Sequence, residues 1–480
     1  MQANRKPHSF LKRLTLLAAI TVFALFAARA VSAEGSRWFD DPGQLGHYAV
    51  GHTNYRFIDT DRGNRPIAVS VFYPVDARDI HSSTPQAEYL TDPYTDLLPP
   101  TYWFFTAQPT LSSDWEELGY DRAYERPKVS GDGPFPLVVF SPAWDDNNWE
   151  YISIGTRLAS HGYVVAELDH WADSQYGWSL MDHIITAMLN RPPDVSFAMT
   201  QLLAKNGRRG DLLFRTIDPE RIAASGHSLG GYATDALAAG DNLVCDSLLQ
   251  TLVGADTLPY PANTCVPIHR DRRVKAMISL DGSSWALRYS ELARISVPSL
   301  FMGETVDQSA IIYPDGSVRD WIARPHAAVN RNDSYRVDVN GANHYSFTNY
   351  CDGFQVWFNK GWISSDDLAT YESWWPCSST IPPVATISPT DAHEVVTKYM
   401  VAFLDLYFGG PEKNKQLDRW VLTPEYALYH TPTVQFFDSE RCRAELPDHT
   451  YFTYRAYQLS SECDVAQKDP TGWFAPLPAK

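Results

Sequence analysis

Residues 226–231 read Gly-His-Ser-Leu-Gly-Gly, a G-x-S-x-G element. A strand-like run at 221–225 precedes it and a helix-compatible run at 232–239 follows. A serine on a sharp strand-to-helix turn is lifted above its sheet, small neighbours tolerate the tight backbone, and the helix N-terminus adds positive potential. Ser228 is therefore the candidate nucleophile, set against the plain alternative of an idle serine in a Gly-rich turn. A serine hydroxyl at its resting pKa is a weak nucleophile and needs a base that is oriented by an acid.

The order expected after such an elbow is acid, then His. His344 follows a strand-like run at 335–339 and the turn Gly341-Ala342-Asn343, which puts it in a strand-end loop. His326, His393, His430 and His449 also lie downstream but lack that placement. Two carboxylates compete for the acid. Asp281 ends the run 274–280, and Asp307 lies just beyond the run 297–302. Spacing leaves that choice open. The developing oxyanion needs two backbone N–H donors. Leu229, directly after the nucleophile, supplies one. The other is expected from the loop Ser141-Pro142-Ala143-Trp144, where Pro142 has no N–H to give and Trp144 is preferred to Ala143.

These residues need a scaffold, and the chain supplies an alternation. Two strand-like runs within 48–75 flank the turn Asp61-Arg62-Gly63-Asn64. Further strands are expected at 137–141, 163–168, 221–225, 274–280, 297–302 and 335–339. Helices are expected at 151–161, at 194–204 after the breaker Pro192-Pro193, and at 391–408 before Gly409-Gly410-Pro411. Short apolar strands alternating with helices predict an α/β fold, a mostly parallel central sheet flanked by helices. Residues 76–134 and 241–272 read as insertions, the first a lid-like excursion rich in aromatic residues and including Trp103-Phe104-Phe105. Trp144, Trp149, Trp171, Trp178, Trp285 and Tyr345 fall near the carboxyl edge of the sheet and are candidate walls of a substrate pocket, or simply core.

The 480 residues are 44% hydrophobic and 20% charged, a globular composition that excludes wholesale disorder. Against 57 acidic residues stand 40 basic ones, a net charge of −17 that opposes nucleic acid and strong binding to anionic membranes. Arg5, Lys6, Lys12 and Arg13, the apolar run 14–28 and Val31-Ser32-Ala33 form the pattern of a secretory signal peptide. Cleavage near Ala33 would leave 35 basic and 57 acidic residues, or −22, in a secreted or periplasmic protein. Cys245, Cys265, Cys351, Cys377, Cys442 and Cys463 all follow that segment, an even number suited to disulfides in an oxidising compartment. Sequential pairing closes the shortest loops. No metal or cofactor is expected, and the oligomeric state is not assigned. The expected organisation is a signal at 1–33, a catalytic domain at 34–410 and a disulfide-pinned tail at 411–480.

Several stretches carry a resemblance. They are Tyr48-Ala49-Val50-Gly51 with the run 67–74; Ile154-Gly155 through Leu158-Ala159-Ser160-His161-Gly162-Tyr163; Asp218-Pro219-Glu220-Arg221-Ile222 into the elbow; 276–281; and His344-Tyr345-Ser346-Phe347. Together, over about residues 45–410, they resemble the secreted and plasma platelet-activating-factor acetylhydrolases and the bacterial dienelactone-hydrolase-like esterases. The resemblance implies an α/β-hydrolase fold and metal-independent hydrolysis of short-acyl or lipid-like esters, with Ser228 as nucleophile, Asp281 as acid and His344 as base. Polyester- and cutin-hydrolase relatives look similar from Val297 through His344, and in them the acid falls at the position of Asp307. Pro142-Ala143 departs from the His-Gly usual in the oxyanion loop. The rival readings are lactone, amide or polyester cleavage, a phospholipase-like action on zwitterionic lipid, and a non-catalytic binding protein that keeps the fold.

Overall fold

The central strands are runs of Val, Ile, Leu, Ala and Phe without an exposed side, so both faces of their sheet must be covered. In the computed structural model the described residues are 42–89, 94, 109–144, 148–171, 180–241, 267–284, 287, 289–304, 310–312, 318–320, 323–329, 331–374, 387–409, 415–424, 426–427 and 434–438. Ten strands form the main sheet: β1 (Ala49–Asp59), β2 (Arg65–Val75), β3 (Ala123–Glu125), β4 (Phe135–Ser141), β5 (Val164–His170), β6 (Ile217–His227), β7 (Val274–Leu280), β8 (Ser299–Glu304), β9 (Ser334–Val339) and β10 (Val434–Asp438). Their order across the sheet is β10-β9-β8-β7-β6-β4-β5-β2-β1-β3. The six from β5 to β9 run parallel. β2 joins β5 antiparallel and forms a hairpin with β1, and β10 closes the other edge antiparallel to β9.

Alternation along each strand feeds two cores. In β4, Val138 and Phe140 enter one, while Leu137 and Val139 enter the other. The first face is covered by α1 (Ile152–Ser160), α4 (Tyr350–Asn359) and α5 (Pro389–Phe408), through Leu158, Phe354 and Tyr399 among others. The second is covered by α2 (Leu180–Gly207) and α3 (Leu229–Ala239), through Met199, Leu202, Tyr232 and Leu237.

Three features depart from the expectations. Helix α2 does not begin after Pro192-Pro193 but runs through both prolines. Each removes one intrahelical bond, yet Ala187, Met188, Val195, Ala198, Met199 and Leu202 on either side are all buried, and packing of that face outweighs the local penalty. The stretch 76–134 is not wholly irregular: it contributes β3 to the sheet edge and buries Tyr89, Trp115 and Tyr120 in the first core. Trp103-Phe104-Phe105 lie outside the described residues. The segment beyond Gly409, expected as a disulfide-pinned tail outside the catalytic domain, contains the helix Lys415–Val421 and supplies β10, so the sheet draws on residues past 410.

The signal-like residues 1–33 and all cysteines except Cys351 lie outside the described residues; Cys351 is disulfide-bonded. Among the described residues no helix is long and apolar enough to cross a membrane.

Candidate active site

Ser228 sits between β6 and α3 with φ 54° and ψ −117°. Such a backbone is strained for a side-chain-bearing residue and persists only where its surroundings impose it. Here they do. The Ser228 N–H donates to Leu280 C=O at 2.9 Å, and its own carbonyl accepts from Ser283 N–H at 2.8 Å. Gly230 lets the turn close: a Cβ there would lie 2.0 Å from the Ser141 carbonyl oxygen. Ser228 occupies the N-cap of α3 without using its side chain as the cap. Leu229 opens that helix, where N–H groups have no intrahelical acceptor.

The next strand, β7, is followed by Asp281, which is fully buried and also has a positive φ, 40°. Its N–H donates to Met302 C=O at 2.7 Å, tying it to β8. His344 opens a single 3-10 turn, His344–Phe347. Asn343 fixes that turn by accepting from the N–H groups of Tyr345 and Ser346 at 3.0 and 3.1 Å. His344 Nδ1 donates to Asp281 Oδ2. The imidazole is 24% exposed, which leaves it reachable beside the buried carboxylate. Ser228, Asp281 and His344 thus follow the carboxyl ends of β6, β7 and β9, in a strand order and around an elbow that define one architecture. The chain has the α/β-hydrolase fold.

Residues 36–184 match the family described as platelet-activating factor acetylhydrolase, isoform II. The platelet-activating factor acetylhydrolase of the dog, Canis lupus familiaris, is 31% identical over 135 residues, which are 26% of this chain and 27% of the relative. The match therefore spans about a quarter of that relative's length. Among solved structures, a ferulic acid esterase from Streptomyces cinnamoneus is similar at 21% identity and a TM-score of 0.48, covering 82% of this chain and 97% of that one.

The remaining predicted site residues separate. Asp307, Trp178 and Trp285 lie outside the described residues, as do His430 and His449. His326 is buried and held neutral by that burial, its pKa pushed down to about 3, and His393 is buried against Tyr120 and Thr348. Tyr345, a predicted pocket residue, stands edge-on to His344, ring centres 5.7 Å apart. Trp144 is half-buried and packs against the same cluster as Leu229. Trp171 packs edge-on against Tyr94 at 5.0 Å. Trp149 is 5% exposed among Trp115, Tyr350 and Trp357, the surroundings of a core residue rather than of an open pocket wall.

The structure adds residues that the motifs do not single out. His227 is fully buried, and its ring centre lies 4.6 Å from that of His344. Burial, reinforced by the neighbouring imidazole, holds it neutral. Tyr151 Oη accepts from Ala143 N–H at 2.9 Å and donates to His227 Nδ1 at 2.9 Å. Ala143 N–H is thus committed elsewhere, and Trp144 is the next residue of that loop with an N–H. His227, Asp281 and His344 bring nitrogen and oxygen atoms within 4.8 Å of one another, a spacing a cation could bridge. The direct bond between His344 Nδ1 and Asp281 Oδ2 is instead that of an imidazole oriented by an acid.

Proposed function

We propose that this chain is a secreted serine carboxylic-ester hydrolase acting on short-acyl or lipid-like esters. The reading rests chiefly on one observation: a strained serine elbow shares the carboxyl edge of one sheet with a histidine that donates to a buried aspartate. In the proposed reaction Ser228 Oγ attacks the ester carbonyl as its proton passes to His344 Nε2. Asp281, accepting from Nδ1, stabilises the imidazolium. The Leu229 and Trp144 N–H groups hold the oxyanion. The imidazolium then protonates the departing alkoxide, leaving an acyl-serine. Water, deprotonated by His344, hydrolyses that ester and regenerates Ser228. Similarity of the N-terminal third to the acetylhydrolases supports the acyl preference, and the net charge of −17 favours neutral or zwitterionic esters over anionic ones. Secretion rests on the signal-like residues 1–33.

Ser228→Ala should reduce hydrolysis of p-nitrophenyl acetate to background while the circular dichroism spectrum is retained. Full activity in that variant would eliminate Ser228 as nucleophile. A panel of acyl chain lengths, phospholipids, lactones and a polyester then distinguishes an acetylhydrolase-like preference from the other uses of the fold.

A further inference from the structure

The loop after β4 is held by more buried side chains than a surface turn requires. At its start, Ser141 Oγ and His170 Nε2 are 2.9 Å apart, and His170 Nδ1 and Asp194 Oδ2 are 2.9 Å apart. Arg65 grips Asp194 through Nε at 2.9 and 3.1 Å and through Nη2 at 2.7 Å. Burial alone would raise the Asp194 carboxyl, but Arg65 and His170 overcome it and hold the group ionised well below the usual carboxylate range. This line repeats the order serine, histidine, aspartate, yet Ser141 has no exposed surface, so no substrate reaches it. It buttresses the end of β4.

The next two peptides are held from opposite sides. The carbonyls of Pro142 and Ala143 both accept from the guanidinium of Arg191, Nη2 to the Ala143 oxygen at 2.8 Å. In a planar trans peptide the carbonyl and the following N–H point in opposite directions. The Pro142–Ala143 peptide shows where that leads: its carbonyl meets Arg191, and its N–H meets Tyr151, whose hydroxyl reaches His227 beside the nucleophile. With the Ala143 carbonyl likewise on Arg191, the Trp144 N–H is turned away from Arg191.

We infer that Arg191 is a positioning residue of the oxyanion hole, its guanidinium holding two successive carbonyls so that the Trp144 N–H faces the reacting carbonyl. The inference rests on the reading of Ser228 as nucleophile and Trp144 as donor. Arg191 is 1% exposed, and a buried guanidinium is tolerated only where its N–H groups are satisfied. Charge-assisted bonds to a carbonyl also polarise the amide, which strengthens its N–H as a donor. A lysine brings the charge but not the planar fork that reaches two acceptors at once.

The test measures p-nitrophenyl acetate hydrolysis by the full chain, with rates expressed per active site titrated to completion with a fluorophosphonate. For Arg191→Gln, kcat should fall about 100- to 1000-fold, the usual loss of one oxyanion donor, with KM little changed. Arg191→Lys should recover part of that loss. Affinity for a trifluoromethyl ketone, which borrows the same hole, should fall in parallel with kcat/KM. A merely structural role would lower the number of titrated sites without moving kcat per site or ketone affinity. Either of these staying within a few-fold of wild type in the Gln variant overturns the inference. If that variant does not fold, Arg191→Lys carries the same comparison, and unchanged kcat and ketone affinity there overturn it. Ser228→Ala, measured alongside, separates the two levels. An active Ser228→Ala removes the reading of the site, whereas an inert one beside an unaffected Arg191 variant removes the positioning role alone.

Discussion

His344 bonds to Asp281, and the consequence of that pairing is measurable. Without the carboxylate, the imidazole settles in the wrong tautomer and its charged form loses its counter-ion. Asp281→Asn should therefore lower kcat by about 10⁴-fold, whereas Asp307→Asn should stay near wild type. Steady-state kinetics of the two variants decide between the acids, and the reverse ranking would move the acid to Asp307. At this scale the sequence is legible wherever chemistry is local. Ser228 announces itself because an elbow needs small residues at fixed offsets, and His344 because it follows a strand and a turn. The acid is ambiguous because an aspartate follows each of two expected strands, and spacing along the chain does not choose between them. Arg191 is illegible: an arginine just before a proline pair reads as solvated until the carbonyls of a distant loop are brought to it. Tyr151 and His170 are hidden for the same reason, since their partners lie 8 to 76 and 24 to 29 positions away.

Helix α3, which follows Ser228, also locks the turn after Asp281. Gly231 touches the backbone of Gly282, where a Cβ would come 2.4 Å from the Gly282 Cα. Asp235, one turn further on, accepts from Ser284 Oγ. Burial pushes the Asp235 carboxyl up to about 7, against a partial pull downward from Ser284 and Ser279. Between its ordinary value of 3.8 and about 7, the folded chain keeps a proton that the unfolded chain has released. Stability from this group is thus complete below pH 4 and is lost as pH rises toward 7, at no more than about 1.4 kcal/mol per pH unit. Asp235→Asn should remove that slope. Denaturant unfolding at pH 5 and pH 8 checks it: the wild type should lose stability relative to the variant at the higher pH, and parallel curves would refute it. Elements were readable from the sequence where apolar periodicity was uninterrupted, as in β4, β7 and α5. They were not where a local signal competed with packing. The pair Pro192-Pro193 argues for a helix start, yet α2 continues because its buried face is committed on both sides.

At the scale of the whole molecule, the sheet is closed by pieces from far apart in the chain: β3, from a region that reads as an insertion, at one edge, and β10, from a region that reads as a tail, at the other. Neither was visible in the sequence, since a short edge strand is defined by the partner it meets rather than by its own pattern. Ending the chain after Gly409 would expose the N–H and C=O groups of β9, an invitation to pair with other chains. Such a truncation should aggregate more readily on warming and melt earlier, by about 2–4 °C for each 1 kcal/mol lost. Light scattering during a thermal ramp checks this, and an unchanged midpoint would mean that β10 adds nothing. The position of β10 also has a consequence in time. β9 leads into the turn that carries His344, and its outer neighbour is drawn from residues 434–438 of 480. A ribosome working at about 5–20 residues per second delivers that strand about 10–40 seconds after the elbow. Ser228, the proposed nucleophile, is thus synthesised well before the strand that completes the sheet edge beside His344, so for much of synthesis the nascent chain lacks a part of the sheet that positions its proposed site.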